Sequence, residues 1–552
     1  MTTVAESRRS AHPRSDPPLA GLGQLCRHIV RRDRVRMSVW AASMTLFVVY
    51  FTFALTNVFD EQAMAARGAV MSTPSGIVMG GPGYGLDDYT PAVAMANEGI
   101  TWLVLSMAIM CILHVVRHTR AGEEDGTSEL VRASNVGRHT AAVAAMLTLT
   151  VHLLIIAVLC AGGMILVGED VPVEDAFAMM LGSVLAALVF GAVALVASQV
   201  TAHSRGATGV SLMVFAVAFV VRAAGDMQQT GGSTLSWFSP IAWAQQMRAF
   251  VDLRWWPLIL PVVTTVVLLF AAALLARRRD FGAGLMTGRP GSADAGTMLR
   301  SPLALAWTQQ RAAMIWTALA MGALWYGSGT MMSTLNDMVA DLVEDNPVLA
   351  ALFGDDSSAF TTSFLAAMVL FISLAAGAYA IVMGQRPKAE ESSGRLELAL
   401  STPVGRSRWL AAQLVMAAIG TLVVLAVSVF GMWAGAAQVG IADPTLGDFA
   451  VVWVSYAAGV LVLLALTAAL YGWAPRATGL GWALLAFIFI ADFFGPLFDL
   501  PEWLQGVSPF YWTPDAFGDD AEMWGVLGVT GVAAALFAAA FWGFRRRDVI
   551  ST

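Results

Sequence analysis

Long, uninterrupted apolar stretches separated by polar connections run along most of this chain. In order they cover 37–55, 98–116, 140–167, 175–199, 207–224, 256–276, 312–331, 360–384, 409–436, 447–473, 477–495 and 523–544. A helix needs roughly 20 apolar residues to cross a bilayer. Continuous rather than alternating runs favour helices over a barrel. The pattern predicts an all-α integral membrane protein with twelve transmembrane helices. Composition agrees, since 57% hydrophobic residues, 13% charged residues and a mean hydropathy of +0.67 are too apolar for a water-soluble globule.

Charge orients the spans. Of the 32 basic residues, all are Arg except Lys388, and 28 fall on the side that carries both termini. The four others are Arg67, Arg222, Arg248 and Arg254. Positive charge is retained in the cytoplasm, so both termini are expected inside a bacterial plasma membrane. The opposite side is acidic, as at Asp337, Asp341, Glu344, Asp345, Asp355 and Asp356. The net charge of −7 thus averages a basic face and an acidic one, and implicates no nucleic acid. Residues 1–18, rich in Ser, Arg and Pro, suit a disordered cytoplasmic tail. Leu22, Leu25, Cys26 and Ile29 keep helical spacing beside Arg27, Arg31 and Arg32. They predict an amphipathic helix lying on the inner surface before the first span, with a weaker counterpart from Pro302 to Trp307. Cys26, Cys111 and Cys160 leave no external pair for a disulfide.

The polar segments are duplicated. Glu123-x-x-Gly126-x-x-Glu129-Leu130, followed by Val136-Gly137-Arg138, returns 268 residues later as Glu391-x-x-Gly394-x-x-Glu397-Leu398, followed by Val404-Gly405-Arg406. Arg277-Arg278-Arg279-Asp280 returns at the same offset as Arg545-Arg546-Arg547-Asp548. Ser239-Pro240-x-x-Trp243 returns as Ser508-Pro509-x-x-Trp512, and Ala207-Thr208-Gly209 as Ala477-Thr478-Gly479. Coincident offsets mark an internal repeat. Two six-span halves follow, 19–279 and 301–552, joined by a cytoplasmic linker over 280–300. An even span number makes them parallel repeats about a pseudo-two-fold axis along the membrane normal.

Catalytic patterns are missing. A Walker A loop needs Lys after its glycines, whereas the only Lys lies in Gln385-Arg386-Pro387-Lys388-Ala389. No paired-Cys, His-Glu-x-x-His or nucleophile-elbow pattern occurs, and His114 and His152 are lone histidines within spans. The chain therefore reads as a transport component and not an enzyme, with no metal or cofactor of its own.

The repeated Glu-x-x-Gly-x-x-Glu-Leu segment with its Gly-Arg exit resembles the coupling helix of type-2 ABC exporter permeases. Six spans per half and the external Ser-Pro-x-x-Trp stretch agree. The tandem twelve-span form resembles actinobacterial permeases for polyketide or tetronasin-type antibiotics. This resemblance implies a homodimer of cytoplasmic ATP-binding subunits, which hold ATP and Mg and dock on Glu123–Arg138 and Glu391–Arg406. It also implies export of small amphiphilic or hydrophobic compounds, including antibiotics, drugs and lipids. In the second copy Pro403 stands where the first has Asn135, so the two docking helices can end differently.

Intramembrane residues give further expectations. Arg222 and Asp492 sit at equivalent depths of spans five and eleven, and a charge within a span is costly unless paired. A salt bridge between the halves is one reading, and separate snorkelling to the headgroups is the other. Leu212, Phe215 and Phe219 share one face of span five, which could line a substrate path, face lipid or pack in the core. Ser239, Pro240, Trp243, Ser508, Pro509 and Trp512 suit short interfacial elements capping the outer mouth. The main rival to ATP-driven export is an ion-coupled secondary transporter of drug/proton antiporter type, which also commonly has two parallel six-span halves. A membrane enzyme, such as a lipid-linked glycosyl transferase, would want clustered external acids with a metal or phosphate site, whereas the external acids here are dispersed and duplicate poorly.

Overall fold

A computed structural model describes residues 19–132, 136–279, 282–286, 294, 296–333, 357–494, 500–514, 517 and 523–548. Among them every regular element is helical, with no strand. The chain divides into two compact units, Met1–Pro290 and Gly291–Thr552. The external acids from Asp337 to Asp356, the tail 1–18 and residues 280–281, 287–293 and 295 of the linker lie outside the described residues.

The first unit opens with α1 (Leu22–Asn57), followed by the short α2 (Glu61–Ser72) and α3 (Pro74–Met79). Next comes α4 (Pro91–Ala94), which passes through a π-turn at Met95–Gly99 into α5 (Ile100–His118). Two short helices, α6 (Arg120–Glu124) and α7 (Thr127–Arg132), form an elbow. Then come α8 (Thr140–Val167), α9 (Val173–Val200), α10 (Ser204–Asp226), α11 (Pro240–Gln245) and α12 (Ile259–Arg278). The central helix is α9, against which α5, α8, α10 and α12 pack. Its buried face is built largely from Ala, Gly and Ser, including Ala178, Gly182, Ser183, Ala187 and Gly191. Small side chains let membrane helices approach closely where no hydrophobic gain over lipid is available.

The second unit contains α13 (Pro302–Thr330), α14 (Ser357–Gly384) and an elbow of α15 (Arg386–Ser392) and α16 (Arg395–Leu400). It continues with α17 (Arg406–Gln438), α18 (Leu446–Trp473), α19 (Leu480–Phe494), α20 (Glu502–Gln505) and α21 (Trp524–Arg546). Here α18 takes the central place, with α14, α17 and α21 packed on it.

Eleven helices among the described residues are long and apolar enough to cross a bilayer. The expected span at 312–331 falls in α13, whose 29 residues suffice in length at about 1.5 Å each. Its second half carries Gly322, Trp325, Tyr326, Gly327, Ser328 and Thr330, and it is less apolar than the eleven.

The residues expected in an amphipathic entry helix belong to α1, which runs unbroken through 36 residues from Leu22 into the first apolar stretch. Residues 30–37 contain neither Gly nor Pro, so nothing breaks the helix there. Asp33, which would otherwise favour water, is buried against His118 at 2.6 Å. The counterpart from Pro302 likewise continues straight through α13.

Candidate functional site

Each repeated motif folds as a two-helix elbow hinged on its glycine. Gly126 has φ 72° and Gly394 φ 73°, left-handed values that a side chain would resist. Glu129 and Glu397 then occupy the first turn of the following helix, where a carboxylate suits the positive end of the dipole. Both are exposed, as is Leu398 at 72%.

Glu123 and Glu391 turn the other way, into the protein. Arg279 donates to Glu123 at 2.7 Å, and Arg547 donates to Glu391 at 2.7 Å. These guanidiniums are the third Arg of the repeated Arg-Arg-Arg-Asp motif, so two duplicated sequences meet in each half. Bidentate pairing fixes distance and angle together, and the end of the last helix is thereby tied to the elbow. The motif's exit Arg adds a second tie: Arg138 donates to the Ala276 carbonyl at 2.7 Å, and Arg406 to that of Arg547 at 3.0 Å. In the first half Arg120 also donates to Glu123, at 2.6 Å. In the second, the Tyr471 hydroxyl donates to Glu391 at 2.8 Å. Burial alone would lower the Arg547 pKa, but the Glu391 hydrogen bond and the Tyr471 oxygen outweigh it and raise it above the usual value.

The Ser-Pro-x-x-Trp motif is also a repeated local structure. Ser239 Oγ accepts from the Ile241 amide at 3.3 Å, and Ser508 Oγ from the Phe510 amide at 3.2 Å. Pro240 takes the first position of α11, where its missing N–H is not needed, and Pro509 follows Ser508 in the same way in sequence. Trp243 Nε1 donates to the Trp237 carbonyl at 2.6 Å, and Trp512 Nε1 to that of Gly506 at 2.9 Å.

The two intramembrane charges find partners within their own halves. Arg222 is fully buried and donates to the carbonyls of Ile77, Val78 and Gly80 at the C-terminal end of α3. Asp226, one turn on, lies 3.6 Å away. Carbonyls at a helix C-terminus and a neighbouring carboxylate both favour a cation, so these contacts compensate the buried Arg222 charge within the first half. Asp492 accepts from Ser508 Oγ at 2.7 Å, much as Asp226 accepts from Ser236 Oγ at 2.6 Å. Leu212, Phe215 and Phe219 have three different surroundings. Leu212 is exposed, Phe215 meets Phe190 edge-on at 5.0 Å, and Phe219 lies under the Arg222 guanidinium at 4.8 Å.

A cluster not anticipated from sequence lies at the Arg-rich end of the first half. Asp33, His114 and His118 present ligand atoms within 4.8 Å of one another. Arg117 lies 3.3 Å from Asp33, however, and a guanidinium there opposes a metal cation. Only the isolated Asp inside a run of Arg could have flagged it. Beside this cluster opens a cavity of about 490 Å³, bounded by α1, α5, the elbow, α8, α9 and α12.

A family model described as the C-terminal domain of the multidrug efflux system permease Rv1217c matches residues 299–545. The multidrug efflux system permease protein Rv1217c of Mycobacterium tuberculosis (strain ATCC 25618 / H37Rv) is 33% identical over 567 residues, covering 99% of each chain. With its helical fold and duplicated elbows, this chain belongs to the Rv1217c family of exporter permeases.

Proposed function

We propose that this chain is the membrane subunit of an ATP-driven exporter of small amphiphilic or hydrophobic compounds, set in a bacterial plasma membrane with both termini in the cytoplasm. A homodimer of separate ATPase subunits, holding ATP and Mg, docks on the two elbows. The carrying observation is the duplicated lock of Glu123 on Arg279 and Glu391 on Arg547. Each lock ties an elbow to the last helix of its half, while Glu129, Glu397 and Leu398 stay exposed. A push on the exposed surface is thereby passed to a membrane helix as well as to the connecting loops. The name of the similar protein, a multidrug efflux permease, supports the cargo class.

A second reading, proton-coupled export, is favoured by one observation, the buried Asp33–His118 pair beside His114. Reconstitution separates the two. Inverted vesicles carrying the permease and the ATPase that co-purifies with it are expected to accumulate ethidium on ATP addition, with a proton ionophore present. Uptake driven by a proton gradient in vesicles holding the permease alone overturns the ATP-driven reading.

A further inference from the structure

The cavity of the first half has the chemistry of a ligand site. Its volume, about 490 Å³, falls in the range of roughly 300–1,000 Å³ typical of small-molecule pockets. Its mouth is basic. Arg32, Arg117, Arg138 and Arg279 line it together with His28 and His118. Part of that charge is already balanced, Arg117 by Asp33, which His118 also meets, and Arg279 by Glu123. Arg138 donates to a carbonyl and not to a carboxylate, and both it and Arg32 are exposed. Among the described residues neither forms an ion pair. Two guanidiniums thus face the opening with no carboxylate bound to either.

The rest of the lining is largely apolar, with Leu147, Leu188, Leu195 and Leu269 among it. The cavity reaches Thr265, which is 14 residues from Arg279 along α12 and its end, or about 21 Å in helical rise. Thr265 is 7% exposed, and its hydroxyl has no hydrogen-bond partner. A buried hydroxyl without a partner is costly, and a ligand bearing a polar atom along its chain would satisfy it.

We infer that this cavity, built wholly within the first half, binds an anionic amphiphile with a phosphate or carboxylate at Arg32 and Arg138 and its apolar chain along Leu147, Leu188 and Leu269. Basic pockets between membrane helices suit anionic head groups, and Arg binds such oxygens with paired donors. Residues 1–18 are net basic, which makes them an unsuitable occupant on charge. Occupancy needs no nucleotide and no motor, so the inference stands or falls apart from the transport reading.

The test uses the full-length permease in phosphatidylcholine nanodiscs and radiolabelled dodecyl phosphate, with empty nanodiscs as blank. Saturable binding is expected, about tenfold tighter than for dodecyltrimethylammonium. Arg32→Ala should weaken dodecyl phosphate by about tenfold, whereas Arg27→Ala, equal in charge loss but outside the cavity lining, should not. Leu188→Trp, which fills the chain site, should abolish saturable binding while thermal stability shows the protein still folded. Equal affinity for the anionic and cationic probes, or indifference to both Arg32→Ala and Leu188→Trp, overturns the inference. Replacing part of the phosphatidylcholine with phosphatidylglycerol distinguishes the natural source. Displacement of dodecyl phosphate assigns the site to lipid, and retention assigns it to an acidic cargo; both support the anionic site.

Discussion

The two halves share an order of helices but differ in how their first helix meets its neighbours. In the second half α13 and α17 meet along glycine. A Cβ on Gly329 would strike the Met432 carbonyl, one on Gly435 the Tyr326 carbonyl, and one on Gly431 that of Gly322. In the first half the corresponding contact of α1 with α8 is made at Gly163 against the Val49 side chain. Polar contacts at the Arg-rich end differ too. His118 binds Asp33 on α1, while its counterpart 268 residues on, Arg386, donates to the Gln309 carbonyl on α13 at 2.6 Å. Gln310 and Gln413 then bridge α13 to α17 at 2.9 Å. The second half thus joins these helices by backbone approach, amide pairing and an Arg386–carbonyl bond, and the first by a buried carboxylate beside a cavity. What duplication has preserved is the elbow lock and the outer Ser–Trp turn; the helix crossing has diverged around them.

The preserved lock should give the largest effects. Removing one partner of a buried ion pair costs about 3–5 kcal/mol, because the survivor stays desolvated. Glu391→Ala leaves Arg547, whose side chain is 17% exposed, and Glu123→Ala leaves both Arg279 and Arg120. Both variants should lose folded yield in detergent, Glu123→Ala more severely. Adding Arg547→Leu to Glu391→Ala should recover much of the loss by removing the stranded charge. If the single variants ran as sharp, monodisperse peaks with unchanged melting, the lock would carry no structural weight.

Next in size is Arg222. Arg222→Asp puts two carboxylates beside the α3 carbonyls and should cost about 3 kcal/mol or more. Adding Asp492→Arg is expected to give no rescue, since the partners of Arg222 are Asp226 and the end of α3. Asp492→Asn, which can still accept from Ser508, should cost about 1 kcal/mol or less. Thermal melts of the four proteins decide this, and recovery in the double variant would restore a bridge between the halves.

Much of this was legible in sequence, and the rest was hidden for identifiable reasons. Apolar runs located the helices because lipid leaves the backbone few alternatives. The elbows and their glycines were visible as a repeat. The destination of Glu123 was not, since Arg279 lies 156 residues away. The clue was that the Glu and the triple-Arg motifs recur at one common offset, as contacting segments do when a whole unit is copied. Asp33 had no such clue, because its contact with His118 falls outside the repeated motifs. The surroundings of Arg222 were half hidden: Asp226 stands one turn on in the sequence, but the α3 carbonyls of Ile77, Val78 and Gly80 are announced by no residue type.

Glycine substitutions sharpen the comparison at a smaller scale. Gly435→Val must displace the backbone of α13 at Tyr326, at the upper end of the about 1–3 kcal/mol usual for overpacking. A Cβ at Gly163 would meet side chains alone, the movable Val49 Cγ2 at 2.6 Å and Thr45 Cγ2 at 3.8 Å, and the better helix propensity of Val than Gly offsets part of the strain in Gly163→Val. It should cost under about 1 kcal/mol. Matched losses of melting temperature would mean that the two crossings are equally tight.

The smallest effect on stability should accompany a large one on partnership. Glu129 and Glu397 are exposed in both halves, and surface changes usually stay within about 0.5 kcal/mol. Glu129→Arg with Glu397→Arg should therefore leave melting unchanged while reversing charge on the face proposed to meet the ATPase subunits. Tagged permease from its native membrane is expected to bring down an ATP-hydrolysing chain. The double variant should lose it, and each single variant should lose part, because in the proposed assembly each half offers one elbow to one copy of a twofold partner. Full retention by the double variant would move the docking surface off these acids, whereas loss from one single variant alone would show that the two elbows, alike in fold, are unequal in use.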